Sequence, residues 1–322
     1  MHTVSDRKKS LRKPDFKALP ASNQLALAHL LLPLALAFTG TWLSTAFNGV
    51  LSWLAGQLLL AVFFFQCFVL LHETGHLSYF KSKSLNKFFG HLFGFLSFIP
   101  YESWAPIHHL HHRWTGWRDK DPTTEGTVAP KFSQPVRALV NLCWKLGLPL
   151  FTIGYRLGNY WSPKKLQRYL PQQKLNAIYL NQALLLLVYG LAFYFWGGWI
   201  LKSFGLAYLL SMALSDLIIL SQHSHIDMPV AAGQEVKPIS YSSQVPYTRS
   251  LRLNAFVARF ILFNFNLHEL HHAYPGVPAY YLSKLDQDTP NSKGFWRYLF
   301  KAKKMSGVDF VFNTSKKTGV EV

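Results

Sequence analysis

Residues 50–76 read VLSWLAGQLLLAVFFFQCFVLLHETGH. From Val50 to Leu71 the stretch carries no charged side chain, and it approaches the ~20 residues an α-helix needs to cross a bilayer. It then runs directly into His72-Glu73-Thr74-Gly75-His76. On a continued helix, residues four apart share a face, so His72 and His76 point the same way where the helix leaves the apolar layer. Uncharged runs of this length are rare in water-soluble cores, which sets aside a soluble protein with buried helices.

Working outward, Leu25 to Phe47 is a second such run, separated from the first by the turn pair Asn48-Gly49. Later, Ala177 to Trp196 and Ile200 to Leu220 form another pair, broken at Gly197-Gly198. The expected fold is all-α: an integral membrane protein with four transmembrane helices, about 25–47, 50–71, 177–196 and 200–220, arranged as two hairpins under a helical cap. Residues 1–24 read as a basic tail, 25–290 as the membrane domain and 291–322 as a basic, disordered C-terminal tail. The leader holding Arg7, Lys8, Lys9, Arg12, Lys13 and Lys17 is too long for a cleavable signal, and it places the N-terminus in the cytoplasm by the positive-inside rule. Segments 72–176 and 221–322 then lie on that same side. Within them, Gly90, Gly94 and Pro100 suit a shallow helix over 82–100, Gly147, Pro149 and Gly154 suit an interfacial helix pair over 134–160, and the prolines of 229–250 suit a loop.

The net charge is +18 with histidines neutral. With no nucleic-acid motif beside it, this excess reads as attraction to anionic lipid head groups, or as a face for an acidic partner protein. Cys67 and Cys143 are the only cysteines, which excludes a disulfide framework and an iron–sulfur cluster held by this chain's own thiolates.

The histidines are concentrated. After His72 and His76 come His108-His109-Leu110-His111-His112 and His268-Glu269-Leu270-His271-His272. In each of the later clusters the i, i+3, i+4 spacing lets one helical face present three rings, leaving His109 off that face. Neutral imidazole is a strong ligand for iron, zinc and copper. One ion takes about four to six ligands, so eight rings suggest two ions in one pocket. Gln222-His223-Ser224-His225 leaves the last apolar run where His72 leaves the second; His223 is the expected ninth ligand and His225 the next candidate. Glu73, Glu269, Asn264 and Asn266 are candidates to orient ring N–H groups. Asp216 stands out as an acid inside a span, and Asp119 and Asp121 read as loop caps rather than ring partners.

Two rival metal chemistries share these residues. His72-Glu73-x-x-His76 and His268-Glu269-x-x-His272 both match the H-E-x-x-H pattern of zinc metalloproteases, but a protease needs one such motif and gives His108, His111 and His112 no task. Glu73-x-x-His76 and Glu269-x-x-His272 also match the paired E-x-x-H of carboxylate-bridged di-iron bundles, but those need two further inward glutamates and the spans offer only Asp216.

The ordered set H-x-x-x-H, H-x-x-H-H about thirty residues on, an apolar hairpin, then H-x-x-H-H resembles the integral-membrane fatty acid desaturase superfamily. Trp104 before the second box, Arg113-Trp114-Thr115-Gly116 after it, Asn264-Phe265-Asn266-Leu267 before the third and Tyr274-Pro275 after it agree, over about residues 25–285. The resemblance implies a non-heme di-iron centre on His72, His76, His108, His111, His112, His223, His268, His271 and His272. It implies O2 as co-substrate, and an acyl lipid, acyl-CoA or acyl carrier as substrate. Electrons would come from a separate ferredoxin or a cytochrome b5 with its reductase, since no fused donor module fits the remaining length. Desaturation is the expected outcome; hydroxylation, ketolation and oxidative decarboxylation occur on the same scaffold. A bare catalytic unit points to a bacterial inner membrane with the site on the cytoplasmic side.

Overall fold

The computed structural model describes residues 19–128, 130–285 and 288–322. The basic leader up to residue 18 lies outside the described residues.

The chain is mostly helical. In order it forms α1 (Asn23–Thr45), α2 (Val50–Gly75), α3 (Lys83–Leu96), α4 (Tyr101–Trp114), α5 (Gln134–Leu146), α6 (Leu150–Arg156), α7 (Pro163–Tyr169), α8 (Gln172–Ile200), α9 (Leu206–His223), α10 (His268–Ala273), α11 (Ala279–Leu282), α12 (Phe295–Lys304), α13 (Gly307–Phe312) and α14 (Ser315–Thr318). Two short π-helical segments, Leu157–Trp161 and Leu201–Gly205, extend α6 and join α8 to α9. Extended structure is limited, among the described residues, to a two-residue parallel pair, Leu251–Arg252 with Lys293–Gly294, and an isolated bridge between His225 and Thr314.

Among the described residues, three helical runs are long and apolar enough to cross a membrane: Asn23–Thr45, Val50–Gly75 and Gln172–His223; the pair Gln134–Leu146 and Leu150–Trp161, bent by 115°, would make a fourth. The first two pack closely because their contact is made of small residues. A Cβ on Gly56 would stand 2.6 Å from the Gly40 carbonyl and 2.3 Å from Ser44 Oγ, so the backbones meet as they do at small-residue crossings in bilayers. Gln57, buried in α2, ties the bundle together: its amide donates to Ser44 Oγ (3.0 Å) and the Ser203 carbonyl (2.7 Å), and its oxygen accepts from the Ala207 N–H (2.9 Å).

The third run is not straight. Trp196 leaves helical geometry (φ −132°, ψ 16°) one residue before the Gly197-Gly198 break that the sequence suggested. Tyr189 and Tyr208 both pack on the Phe98 ring, at 4.2 and 5.2 Å between centroids. A straight helix would hold those tyrosines about 28 Å apart at 1.5 Å per residue, so the chain doubles back between them.

The C-terminal segment is not a loose tail. α12 to α14 fold back onto the body, with Tyr298, Ala302 and Phe310 fully buried, Phe310 stacked on Trp144 at 4.8 Å and Trp144 Nε1 donating to the Ala302 carbonyl at 3.2 Å. Phe295, Tyr298, Leu299 and Ala302 recur at i, i+3, i+4, i+7, an apolar stripe that a lysine-rich composition hides.

Candidate metal centre

The histidines reach one place from four elements. α2 delivers His72 in its last turn, with His76 as its C-cap residue. α4 carries His108, His111 and His112 on its buried face. α9 ends at His223, and the single-turn α10 carries His268, His271 and His272. α4 is seated against the end of α2 by a close fit: a Cβ on Gly75 would lie 2.1 Å from the Trp104 ring, and Trp104 in turn stacks on His108 at 4.4 Å.

The nine rings fall into two adjoining groups. His72, His76, His108, His112 and His271 form one, and His111, His223, His268 and His272 the other; within each, one nitrogen per ring lies within 4.8 Å of all the rest. The groups touch where His112 stacks on His272 at 4.2 Å.

Four rings have their outward nitrogen held by an oxygen. His72 Nδ1 meets Glu73 Oε1 at 3.0 Å, His111 Nδ1 meets Asp121 Oδ2 at 2.7 Å, His223 Nδ1 meets the Tyr247 carbonyl at 3.1 Å and His272 Nδ1 meets Gln244 Oε1 at 3.0 Å. These oxygens accept, so Nδ1 carries the proton and Nε2 presents its lone pair inward, the arrangement that fixes metal-binding imidazoles. The Gln244 amide is itself oriented, because its NH2 donates to the His112 carbonyl at 2.6 Å and the Ile239 carbonyl at 3.1 Å.

The inward nitrogens are crowded and under-satisfied. His76 and His108 Nε2 are 3.0 Å apart, His108 and His112 Nε2 3.1 Å, His112 and His271 Nε2 3.1 Å, and His223 and His268 Nε2 2.8 Å. His72 Nε2 and His272 Nε2 are buried with no hydrogen-bond partner. One proton per contact cannot satisfy a nitrogen that faces two others, whereas a cation between them satisfies every lone pair at once. Burial first, and neighbouring rings second, hold His108, His112, His268, His271 and His272 well below the ordinary imidazole range, which keeps them in the neutral, ligating form. The donor set therefore fits two first-row metal ions in nitrogen-rich shells.

The remaining candidates belong to neither group. His109 is exposed on the outer side of α4, its ring 6.2 Å from His76 and outside both groups. His225 takes a left-handed backbone (φ 60°) and turns to the C-terminal segment, contacting the Asp309 carbonyl (3.2 Å), the Val320 carbonyl (3.1 Å) and Thr318 Oγ1 (2.8 Å). Glu269 orients no ring: it accepts from Thr289 Oγ1 (2.6 Å), Asn291 N (2.9 Å) and Ser250 N (3.2 Å), pinning the loops around α10. Asn264 donates to the Ala279 carbonyl and Asn266 to the Leu251 carbonyl, both at 2.8 Å. Asp216 accepts from the Thr152 N–H at 2.6 Å and anchors α6 to α9. Asp119 caps, as read, the Ala231 and Ala232 N–H groups at 2.8 and 2.9 Å. Asp121 does more than its expected capping of Thr123 N (2.8 Å), because its other oxygen holds His111. Burial pushes its carboxyl up, but the His111 ring and Thr123 outweigh this and hold it below the usual carboxylate range. Glu73 spends its second oxygen on the Ala279 N–H at 2.9 Å. Neither glutamate of the two H-E-x-x-H patterns is left free to act as a protease's general base, and neither reaches the cluster as a bridging ligand.

Beside the second group opens a cavity of about 550 Å³, lined mostly by apolar side chains and reaching His72, His108, His111, His223 and His268 at its inner end.

The sequence model of the fatty acid desaturase family matches residues 48–292, a span that contains all nine rings. The chain belongs to the fatty acid desaturase family. Among curated proteins it is 25% identical over 235 residues to an sn-1 acyl-lipid omega-3 desaturase (ferredoxin) of Nostoc sp. (strain 36), covering 69% of this chain and 62% of the relative. It is 24% identical to the chloroplastic omega-3 fatty acid desaturase of Sesamum indicum, covering 80% of this chain and 59% of the relative. With the fatty acid desaturase of Bacillus subtilis (strain 168) it is 24% identical over 87% of this chain and 81% of the relative. The chain thus spans about three-fifths of the first two desaturases.

Proposed function

We propose that this chain is an O2-dependent oxidoreductase that introduces a double bond into an acyl chain at a histidine-ligated di-iron centre. The observation that carries the reading is the pair of imidazole groups, four of whose rings have the outward nitrogen held by an oxygen acceptor, beside a largely apolar cavity. One iron would be held by His72, His76, His108, His112 and His271, the other by His111, His223, His268 and His272. When bound, the two irons supply the activation of O2, with two electrons and two protons from outside, that removes two hydrogens from adjacent carbons and yields water. The protein's part is to fix the tautomer of His72, His111, His223 and His272 from outside, and to hold the chain in a dry cavity beside the rings. Glu73, Asp121, Gln244 and the Tyr247 carbonyl orient rings.

In this reading α1 with α2, and α8 with α9 folding back at Trp196, are two membrane hairpins, and their histidine-bearing ends meet on the cytoplasmic face of a bacterial inner membrane; the length and apolar character of these helices support it. The acyl group arrives on a membrane lipid, as the name of the Nostoc relative suggests by analogy, and the electrons come from a small acidic donor such as ferredoxin.

The test is acyl-chain analysis by mass spectrometry of cells expressing the wild type or His112→Ala, with donor proteins supplied. A histidine-dependent product lacking two hydrogens supports desaturation. A histidine-dependent product that gains oxygen replaces it with hydroxylation at the same centre, and unchanged lipids in both strains contradict the reading.

A further inference from the structure

The cavity has a side wall that no side chain closes. Along α6 and the π-helical turn after it, Gly154 and Gly158 line the cavity and are exposed. A Cβ built on either meets no atom within 4 Å, and the same holds for Gly126 across the opening. These glycines are not required by close packing, unlike Gly56 and Gly75; they leave open space beside the catalytic cavity. The π-turn Leu157–Trp161 interrupts regular helix at the same place, a distortion that recurs at functional sites.

On the α5 side the rim of this opening is apolar and faces outward, while Thr124, Thr127 and Lys165 line the cavity near Gly126. Val136 and Leu139 of α5 line the cavity and are 43% and 54% exposed, and Leu142, Leu146 and Leu157 continue the exposed surface beside them. A mouth that received a chain from a soluble carrier would set this surface in water; a bilayer covers it.

We propose that the cavity opens sideways into the bilayer between α5 and α6, and that Gly154 and Gly158 floor a slot through which the acyl chain of a membrane lipid slides to the metal centre. The occupant is a lipid-borne acyl chain, not one presented by a water-soluble carrier. The inference rests on the desaturase reading for its purpose but not for its geometry.

The test uses the iron-loaded full chain in vesicles of phosphatidylcholine and phosphatidylglycerol, with a phosphatidylglycerol carrying a photoactivatable diazirine in one acyl chain. Wild type is compared with Gly154→Leu and Gly158→Leu, and with Gly154→Ala and Gly158→Ala, which add only a methyl in open space and favour the helix. Cross-links are mapped by peptide mass spectrometry; iron per chain and the unfolding temperature are followed in parallel. Wild-type cross-links are expected on the peptides of α5 and α6. The leucine variants should lose these cross-links and about tenfold or more in product formation at unchanged iron content, with the alanine variants between. A leucine variant that keeps iron, labels like the wild type and turns over normally overturns the slot, as does equal labelling from a diazirine acyl-CoA offered without vesicles. If a leucine variant loses its iron, the alanine pair decides: cross-links and product reduced at full iron support the slot, and wild-type values overturn it. Slot labelling in a wild type that forms no oxidised lipid supports the slot and counts against the desaturase reading.

Discussion

Asp121→Asn isolates the contribution of a single hydrogen bond to the metal centre. Asp121 Oδ2 accepts from His111 Nδ1 at 2.7 Å, while Oδ1 accepts from Thr123 N (2.8 Å) and Thr123 Oγ1 (2.9 Å). An asparagine fits the same space but has one oxygen and one NH2. If the oxygen stays with Thr123, the NH2 faces His111 Nδ1, which must give up its proton; the hydrogen moves to Nε2 and removes the lone pair from the group of His111, His223, His268 and His272. If the amide turns the other way, two donors face each other at Thr123, at a cost of about 1–3 kcal/mol for a buried unsatisfied group. Loss of a residue that orients a ligand costs about 10–100-fold in metal affinity or activity, or about 1.4–2.7 kcal/mol, so the two routes agree in size. The expected outcome is selective: under limiting iron the variant falls from two irons per chain toward one, and its product formation falls with the lost ion. Iron titration of the metal-free protein, read by plasma mass spectrometry, measures this. An Asp121→Asn protein that binds two irons with wild-type affinity and turns over normally would refute the claim that Asp121 sets the His111 tautomer.

Further outcomes follow from the same geometry. Gln244→Ala releases His272 Nδ1 and the His112 carbonyl together, so it should lower stability by about 1–3 kcal/mol and weaken iron binding, checked by thermal unfolding and iron titration; wild-type values in both would sink its assigned role. His225→Ala should cost a similar ~1–3 kcal/mol by loosening the C-terminal segment, yet keep its iron, because His225 contacts Asp309, Thr318 and Val320 rather than the cluster; loss of iron at unchanged stability would return His225 to the ligand set. The buried rings also set a pH dependence. His108, His112, His268, His271 and His272 are held neutral by burial, so their folded pKa values lie below the unfolded value. Below about pH 6.5 the unfolded chain takes up protons that the folded chain refuses. The metal-free protein should therefore be most stable above about pH 6.5 and lose stability as the pH falls from there; a thermal unfolding series that is flat between about pH 7.5 and about pH 5 would contradict this.

The convergence of the rings was legible in the sequence because it depends on local rules. Spacings of three and four put His108, His111 and His112 on one helix face, and the apolar runs place His72 and His223 at the ends of long helices. What sequence could not show was direction in the loops. Asp121 lies in a turn with the same composition as Asp119, and only the path from α4 back toward α9 sends one carboxylate to His111 and the other to Ala231. Gln244 is a polar residue in a proline-rich loop, and nothing local distinguishes it from its neighbours; it matters because the loop passes under α10. His225 illustrates the opposite error: its place two residues after His223 suggested a ligand, but the helix ends between them and the left-handed backbone at His225 turns the ring away. The C-terminal helices were hidden by their lysines, although the Phe295, Tyr298, Leu299, Ala302 stripe carried the helical period.

The most direct measurement is the metal content of the protein purified from iron-replete cells, compared with the His112→Ala variant. Two irons per wild-type chain, reduced in the variant, are what the two imidazole groups require. A single zinc per chain, or two irons that survive the loss of His112, would contradict the nine-histidine centre.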